Sequence, residues 1–266
     1  MRTKAEELYE VWTKGNERKW RYGLKKLGLV DQEDINDFLR LVRKNELVWD
    51  SVMLGKFVSL VLKYCYSGKE IHLDVDAVNG DISVGEGLDW EGDIYVRGNV
   101  NGYVGNYMRR GKIVVEGEIR ESVGLYMDGG TVIVFGDVRE NVGMGMKNGM
   151  VFIEGNVKKG EVGNEMSGGC IIVNGSVGDM VGSDMYGGTI IIRGCVMNHV
   201  GWKMGNGFII VDGFVTGEVG EPVYGGIIVV NGEVKIRDKI EWLKKLDIGV
   251  ILCNGYLYTG EWSDKS

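Results

Sequence analysis

From Gly80 to Gly232 a glycine returns at a nearly fixed interval: Gly80, Gly98, Gly117, Gly136, Gly155, Gly175, Gly194, Gly213 and Gly232. After the first interval the spacing is 19 residues, with a single 20 between Gly155 and Gly175. A fixed period of this size is the mark of a solenoid, in which each repeat is one coil that buries its core against its neighbours. Composition agrees. The chain has 44 glycines but one proline, which points to repeated tight turns and not to a disordered linker.

Counting from the marker glycine as zero, position two is always Val or Ile, from Val100 and Ile119 to Val234. A Val-Gly pair follows near position six, as in Val123-Gly124 and Val181-Gly182. Three residues after that glycine stands Met108, Met127, Met146, Met166, Met185 or Met204, with Val223 ending the series. A Gly-Gly or Asn-Gly pair then closes a turn in most coils, and a β-branched strand such as Ile190-Ile191-Ile192 follows. Stacked coils place equal positions about 4.8 Å apart, so identical residues form ladders. A methionine ladder suits the irregular space at a corner. Thioethers are also soft metal ligands, but a metal site would be local whereas this series runs the length of the repeat.

A left-handed hexapeptide helix needs an aliphatic residue every six positions, yet the first coil offers Val100, Asn106 and Lys112. The GGxGxD signature of calcium-binding repeats is missing. The predicted fold is therefore mainly β: a right-handed parallel β-helix of about 19-residue coils.

In the closing strand, positions 15 and 17 are aliphatic and should point inward, as do Ile190 and Ile192. Position 16 should then point outward. It reads Val114, Ile133, Phe152, Ile172, Ile191, Ile210 and Val229, an external apolar band about 30 Å long. A soluble monomer rarely leaves such a patch bare. Two covers are expected, the chain's own N-terminal helices or a partner chain, and both can hold along different parts of the band.

Three regions follow. Residues 1–70 form a helical N-terminal domain, 71–234 the repeat domain, and 235–266 a cap. The first region shows helical spacing over Leu8, Val11 and Trp12, then Trp20 and Leu24, with a break at Gly15. A capping-box variant at Asp31 and Asp34 opens a second pattern, and a third runs from about Val48 to Tyr66. The cap combines an amphipathic helix over Lys239–Leu246 with a hairpin on Asn254-Gly255. It would shield the last open sheet edge.

The net charge of -7 argues against bulk nucleic-acid binding and against an anionic membrane surface. The mixture of bases and aromatics from Trp12 to Lys26 reads as an ordinary helix with solvated charges. No run of about 18 apolar residues exists, so no membrane span is expected. Cys65, Cys170, Cys195 and Cys253 form no CxxC pair, which fits reduced thiols in a cytoplasmic protein. With His72 and His199 as the only histidines, triad and histidine-metal chemistry lack parts. Nothing orients Cys195 with His199. The fragments Gly85-Glu86-Gly87 and Gly143-Met144-Gly145 open no βαβ unit. Tyr107, Tyr126, Glu165, Asp184 and Lys203 share position nine and read as solvated surface. No catalytic, cofactor-binding or metal-ligating residue is assigned.

The string VGxxMxxGx, aliphatic-x-aliphatic, xGx and a closing Val or Ile runs from Val104 to Ile119, from Val123 to Val138 and from Val181 to Val196. Over about half the chain this resembles the GXGXG β-helix family. It most resembles the β-helical component of formylmethanofuran dehydrogenase and, less, the C-terminal domain of the glutamate synthase large subunit. The resemblance implies a structural subunit with no cofactor of its own, in a complex that reduces carbon dioxide onto methanofuran in methanogenic and related archaea. Tungsten or molybdenum pterin, iron-sulfur clusters and a zinc site would belong to partner subunits. The helical residues 1–70 have no counterpart in that family. They leave open a stand-alone scaffold or self-associating relative without an enzymatic role.

Overall fold

The computed structural model describes residues 2–44, 50–79, 81–220, 222–234, 250–253 and 256–259. Four helices come first: α1 (Lys4–Thr13), α2 (Glu17–Leu27), α3 (Gln32–Lys44) and α4 (Ser51–Tyr64). Then follow β1 (Glu70–Asp74), a 3-10 turn at Val75–Val78, and the coil strands. These are β2 (Asp89–Arg97), β3 (Arg110–Val115), β4 (Thr131–Val134), β5 (Met150–Ile153), β6 (Cys170–Val173), β7 (Thr189–Ile192), β8 (Phe208–Val211) and β9 (Ile227–Val230). Last come β10 (Val250–Cys253) and β11 (Tyr256–Thr259).

The helices start where side chains can satisfy their free N–H groups. Thr3 and Glu6 form a full capping box on α1, Asn16 caps α2, and Asp50 accepts from Val52 and Met53 at the start of α4. Asp31 and Asp34 bond each other's backbone N–H at 2.9 and 3.0 Å, the reciprocal pair expected before α3. Gly15 separates α1 from α2, as its place in the helical pattern implies. Trp20 is buried, stacks on Trp12 at 5.0 Å and meets Phe57 edge-on. Trp12 and Trp20 of the basic stretch thus pack on the core, whereas Tyr22 is exposed with Lys26 over its ring. Cys65 is buried too, and burial pushes its thiol up to about 11, which makes it an inert packing residue.

The strands form one sheet in chain order, and every neighbouring pair from β1 to β10 is parallel. β11 returns antiparallel on β10. The turn Asn254-Gly255 and the helix expected over Lys239–Leu246 lie outside the described residues. Each coil adds two further bridges, one through position two (Val177 to Val196) and one through the Val of the Val-Gly pair (Val181 to Val200). Three inward ladders therefore enclose the core, and the chain is a parallel β-solenoid with about 19-residue spacing and N-terminal helices.

The marker glycines from Gly155 to Gly213 bond one another. Gly194 N–H donates to Gly175 at 3.1 Å, and a Cβ on Gly194 would lie 2.5 Å from that same oxygen. No other residue allows the backbones so close. The methionines of the ladder are fully buried, and each uses the turn glycine of the next coil. At Gly188, φ is +95°, and the Cε of Met166 occupies the space a Cβ would take, 2.7 Å away. The glycine and the methionine are one device: the turn needs a positive φ, and the corner is filled by a methyl from the coil before. Gly188→Ala should cost about 2 kcal/mol, combining left-handed strain with displacement of Met166. Urea unfolding of Gly188→Ala, Met166→Ala and the double variant would show less than additive losses if the two residues share that space.

Position nine holds a second regularity. Tyr107, Tyr126, Glu165, Asp184 and Lys203 all take positive φ, between 50° and 55°. Solvent exposure explains their mixed chemistry, but their backbone conformation is strained for non-glycine residues. Tyr107 and Tyr126 recover part of that by stacking at 5.3 Å.

Candidate functional site

Strand register brings the predicted outward residues into one column. Val114, Ile133, Phe152, Ile172, Ile191, Ile210 and Val229 are consecutive partners from β3 to β9. The column continues past both ends, through Tyr95 and His72 on one side and Leu252 on the other. His72 and Tyr95 stack at 4.9 Å. From Ile133 to Val229 every member is half-buried, while the flanking positions 15 and 17 are buried. The alternation is what a sheet with one face in the core requires.

A second outward column runs through position 14: Lys112, Thr131, Met150, Cys170, Thr189, Phe208 and Ile227. It changes character along the solenoid. Near the helices Lys112 pairs with Asp93 at 2.8 Å, and Arg110 reaches Asp89 and Glu91. Lys63 and Arg110 beside Asp89 hold its carboxyl below the usual range. Farther along, Met150 is 42% exposed and Phe208 51%. The apolar surface is thus widest over β5 to β9, where two columns lie side by side.

The described helices do not pack on that part. α3 packs on β1 and the 3-10 turn, and α4 packs on β2. Val114, at 9% exposed, is the one buried member of the band between β3 and β9. Of the two covers expected from the sequence, the helical one reaches only this end. Its role is to close the first coil: Ser83 N–H donates to Ser51 at 3.0 Å, and Asn36 bonds His72 and Asp74.

The residues considered for chemistry are dispersed. Nδ1 of His199 accepts the backbone N–H of Glu218 at 3.1 Å, one coil on. Ser83, Ser122 and Asn141 do the same for Tyr103, Asn141 and Glu161, so position five is a hydrogen-bonding ladder rather than a catalytic corner. Cys65, Cys170 and Cys195 are free thiols. Among the described residues no group of three or more His, Cys, Asp and Glu side chains is placed to hold a metal. No described helix is long and apolar enough to cross a membrane.

One buried ionisable group escapes a reading of the sequence. Glu86, in the Gly85-Glu86-Gly87 fragment, is 9% exposed, and its Oε2 has no hydrogen-bond partner. Burial is the main cause that pushes its carboxyl up to about 7. It borders a cleft of about 400 Å³ between α2, α4 and the first two coils. The signal available was its neighbour: Glu86 follows Val84-Gly85, as Asn106, Leu125 and Met144 follow the Val-Gly pairs of later coils.

Fold and site together define the class, a helix-capped parallel β-solenoid with an apolar outer sheet face. No protein-family model matches this chain, and comparison with curated proteins gives no match either.

Proposed function

We propose that this protein is a noncatalytic β-helical subunit that docks a partner chain on the outer face of β5 to β9. The observation that carries the reading is the unbroken column from Ile133 to Val229, half-buried with no described helix over it. The resemblance to the β-helical component of formylmethanofuran dehydrogenase supplies the context: an oxidoreductase complex in the cytoplasm, with pterin metal and iron-sulfur clusters on the partners. Free thiols on the solenoid suit a reducing compartment. A second reading is a stand-alone scaffold that self-associates. The helices favour it, because they give the first coil a cap of its own.

Ile191→Asp separates these readings from a purely internal role. Ile191 stacks between Ile172 and Ile210 and points outward, so the charge should cost only about 1 kcal/mol of fold stability. Circular dichroism should stay unchanged while co-purifying chains are lost. Mass spectrometry of chains recovered from the native organism identifies the partners. Pterin and iron-sulfur proteins among them support the complex; a lone homo-oligomer by light scattering supports the scaffold. Recovery of the same partners by Ile191→Asp would sink the docking face.

A further inference from the structure

We infer that the cleft between α2, α4 and the first two coils binds a small organic anion, a carboxylate or phosphate, through Arg109, Lys56 and Glu86. This is independent of the docking face. The cleft's volume of about 400 Å³ is that of a small-molecule site, and it lies at the junction of two structural units, where such sites concentrate.

Its charges are unevenly paired. Arg21 and Lys56 share Glu17, and Lys63 and Arg110 share Asp89. Arg109 lines the same cleft and has no ion-pair partner among the described residues. Glu86 lines the same cleft, and its Oε2 is buried and unpartnered. An unpartnered buried oxygen is costly unless a ligand supplies the missing hydrogen bond.

The groups facing Glu86 decide what that ligand is. Desolvation and Asp50 favour its neutral form; Lys56 and the Asn106 side chain oppose them. Glu17 and Arg21 approach from α2, Lys63 and Tyr64 from α4, and Asp89, Tyr103 and Tyr107 from the coils. As a neutral acid Glu86 is a hydrogen-bond donor. The cleft then holds the cations Arg21, Lys56, Lys63 and Arg109 against the anions Glu17 and Asp89, an excess of positive charge in a chain of net charge -7. An oxyanion can accept from Glu86 and pair with Arg109 and Lys56 at once. Binding therefore favours protonated Glu86, and affinity falls as pH rises through about 7.

Calorimetric titration of the full chain with sulfate and, separately, succinate tests this at pH values of about 6 and about 8, either side of the Glu86 midpoint. Sulfate keeps its charge over that range; succinate loses the rest of its second proton, and that gain of negative charge works against the expected weakening at higher pH. At least one should bind saturably with roughly millimolar affinity near pH 6 and about tenfold more weakly near pH 8. Sulfate alone points to a phosphate ligand, succinate alone to a carboxylate. Arg109→Gln should weaken binding about tenfold or more. Glu86→Gln keeps a neutral donor, so it should retain binding and lose the pH dependence. Absence of binding by both probes overturns the proposal. So does binding that Arg109→Gln leaves unchanged, or a pH dependence that persists in Glu86→Gln.

Discussion

Gly55→Ala should unseat the helices from the solenoid. In an exposed helix interior this substitution stabilises by about 1 kcal/mol, because glycine loses more backbone entropy than alanine. Gly55 is in the middle of α4, yet the opposite sign is expected. A Cβ there would lie 1.7 Å from the backbone oxygen of Ser83 and 2.7 Å from its carbonyl carbon. Ser83 cannot retreat easily, since its N–H donates to Ser51 at 3.0 Å and its Oγ accepts from Tyr103 at 3.1 Å. The helix must move instead, and Leu54, Phe57, Val58 and Val61 are buried on it. The loss should reach about 3 kcal/mol or more, at the upper end of overpacking costs. Gly23→Ala in α2 is the comparison. Its Cβ would meet only the Val11 side chain, at 2.9 Å, which can turn aside. Denaturant midpoints of the two variants should diverge; a Gly55→Ala midpoint equal to or above that of the unaltered protein contradicts the close packing.

The difference between these glycines also shows where the sequence is readable. Positions that recur every 19 residues announce their environment, because a ladder repeats the same demand in each coil. Recurrence and alternation alone place Val177, Met185, Ile190 and Ile192 inward and Ile191 outward, and the burial of each agrees. Single positions carry no such redundancy. Gly55 looks like an ordinary helix glycine until the fold brings Ser83 beneath it. Glu86 looks like one member of a GxG fragment until α4 closes over it. Position nine is the intermediate case. It recurs, but what repeats from coil to coil is a positive φ, and Tyr126, Glu165 and Lys203 share no side-chain property that would reveal it. The outward band was legible as a feature; its cover was not, because the helices' apolar faces say that they must pack but not on which coil.

Glu86→Gln should stabilise the protein increasingly as pH rises above about 4.5, with the full effect in place from about pH 7. The carboxyl ionises at about 7 in the folded chain, against its ordinary value of 4.5. Between those values the folded state holds a proton that the unfolded state has released, so stability falls as pH rises through this window. Above about pH 7 the full penalty, about 3 kcal/mol, is in place; below about 4.5 it vanishes. Glutamine keeps the shape and a neutral donor and never ionises. The stability difference between variant and unaltered protein should therefore climb from near zero to about 3 kcal/mol across the window. Glu17, Asp89 and Asp137 have lowered carboxyls and act in the opposite direction, losing stability as pH falls; being common to both proteins, they cancel in the difference. Urea midpoints at a series of pH values measure it, and a difference that stays constant with pH would refute the assignment. The same experiment links to the cleft. A bound oxyanion that accepts from Glu86 should hold its proton to higher pH, so sulfate or succinate should add most stability at low pH and extend the fall of stability in the unaltered protein to higher pH, while leaving the pH dependence of Glu86→Gln unchanged.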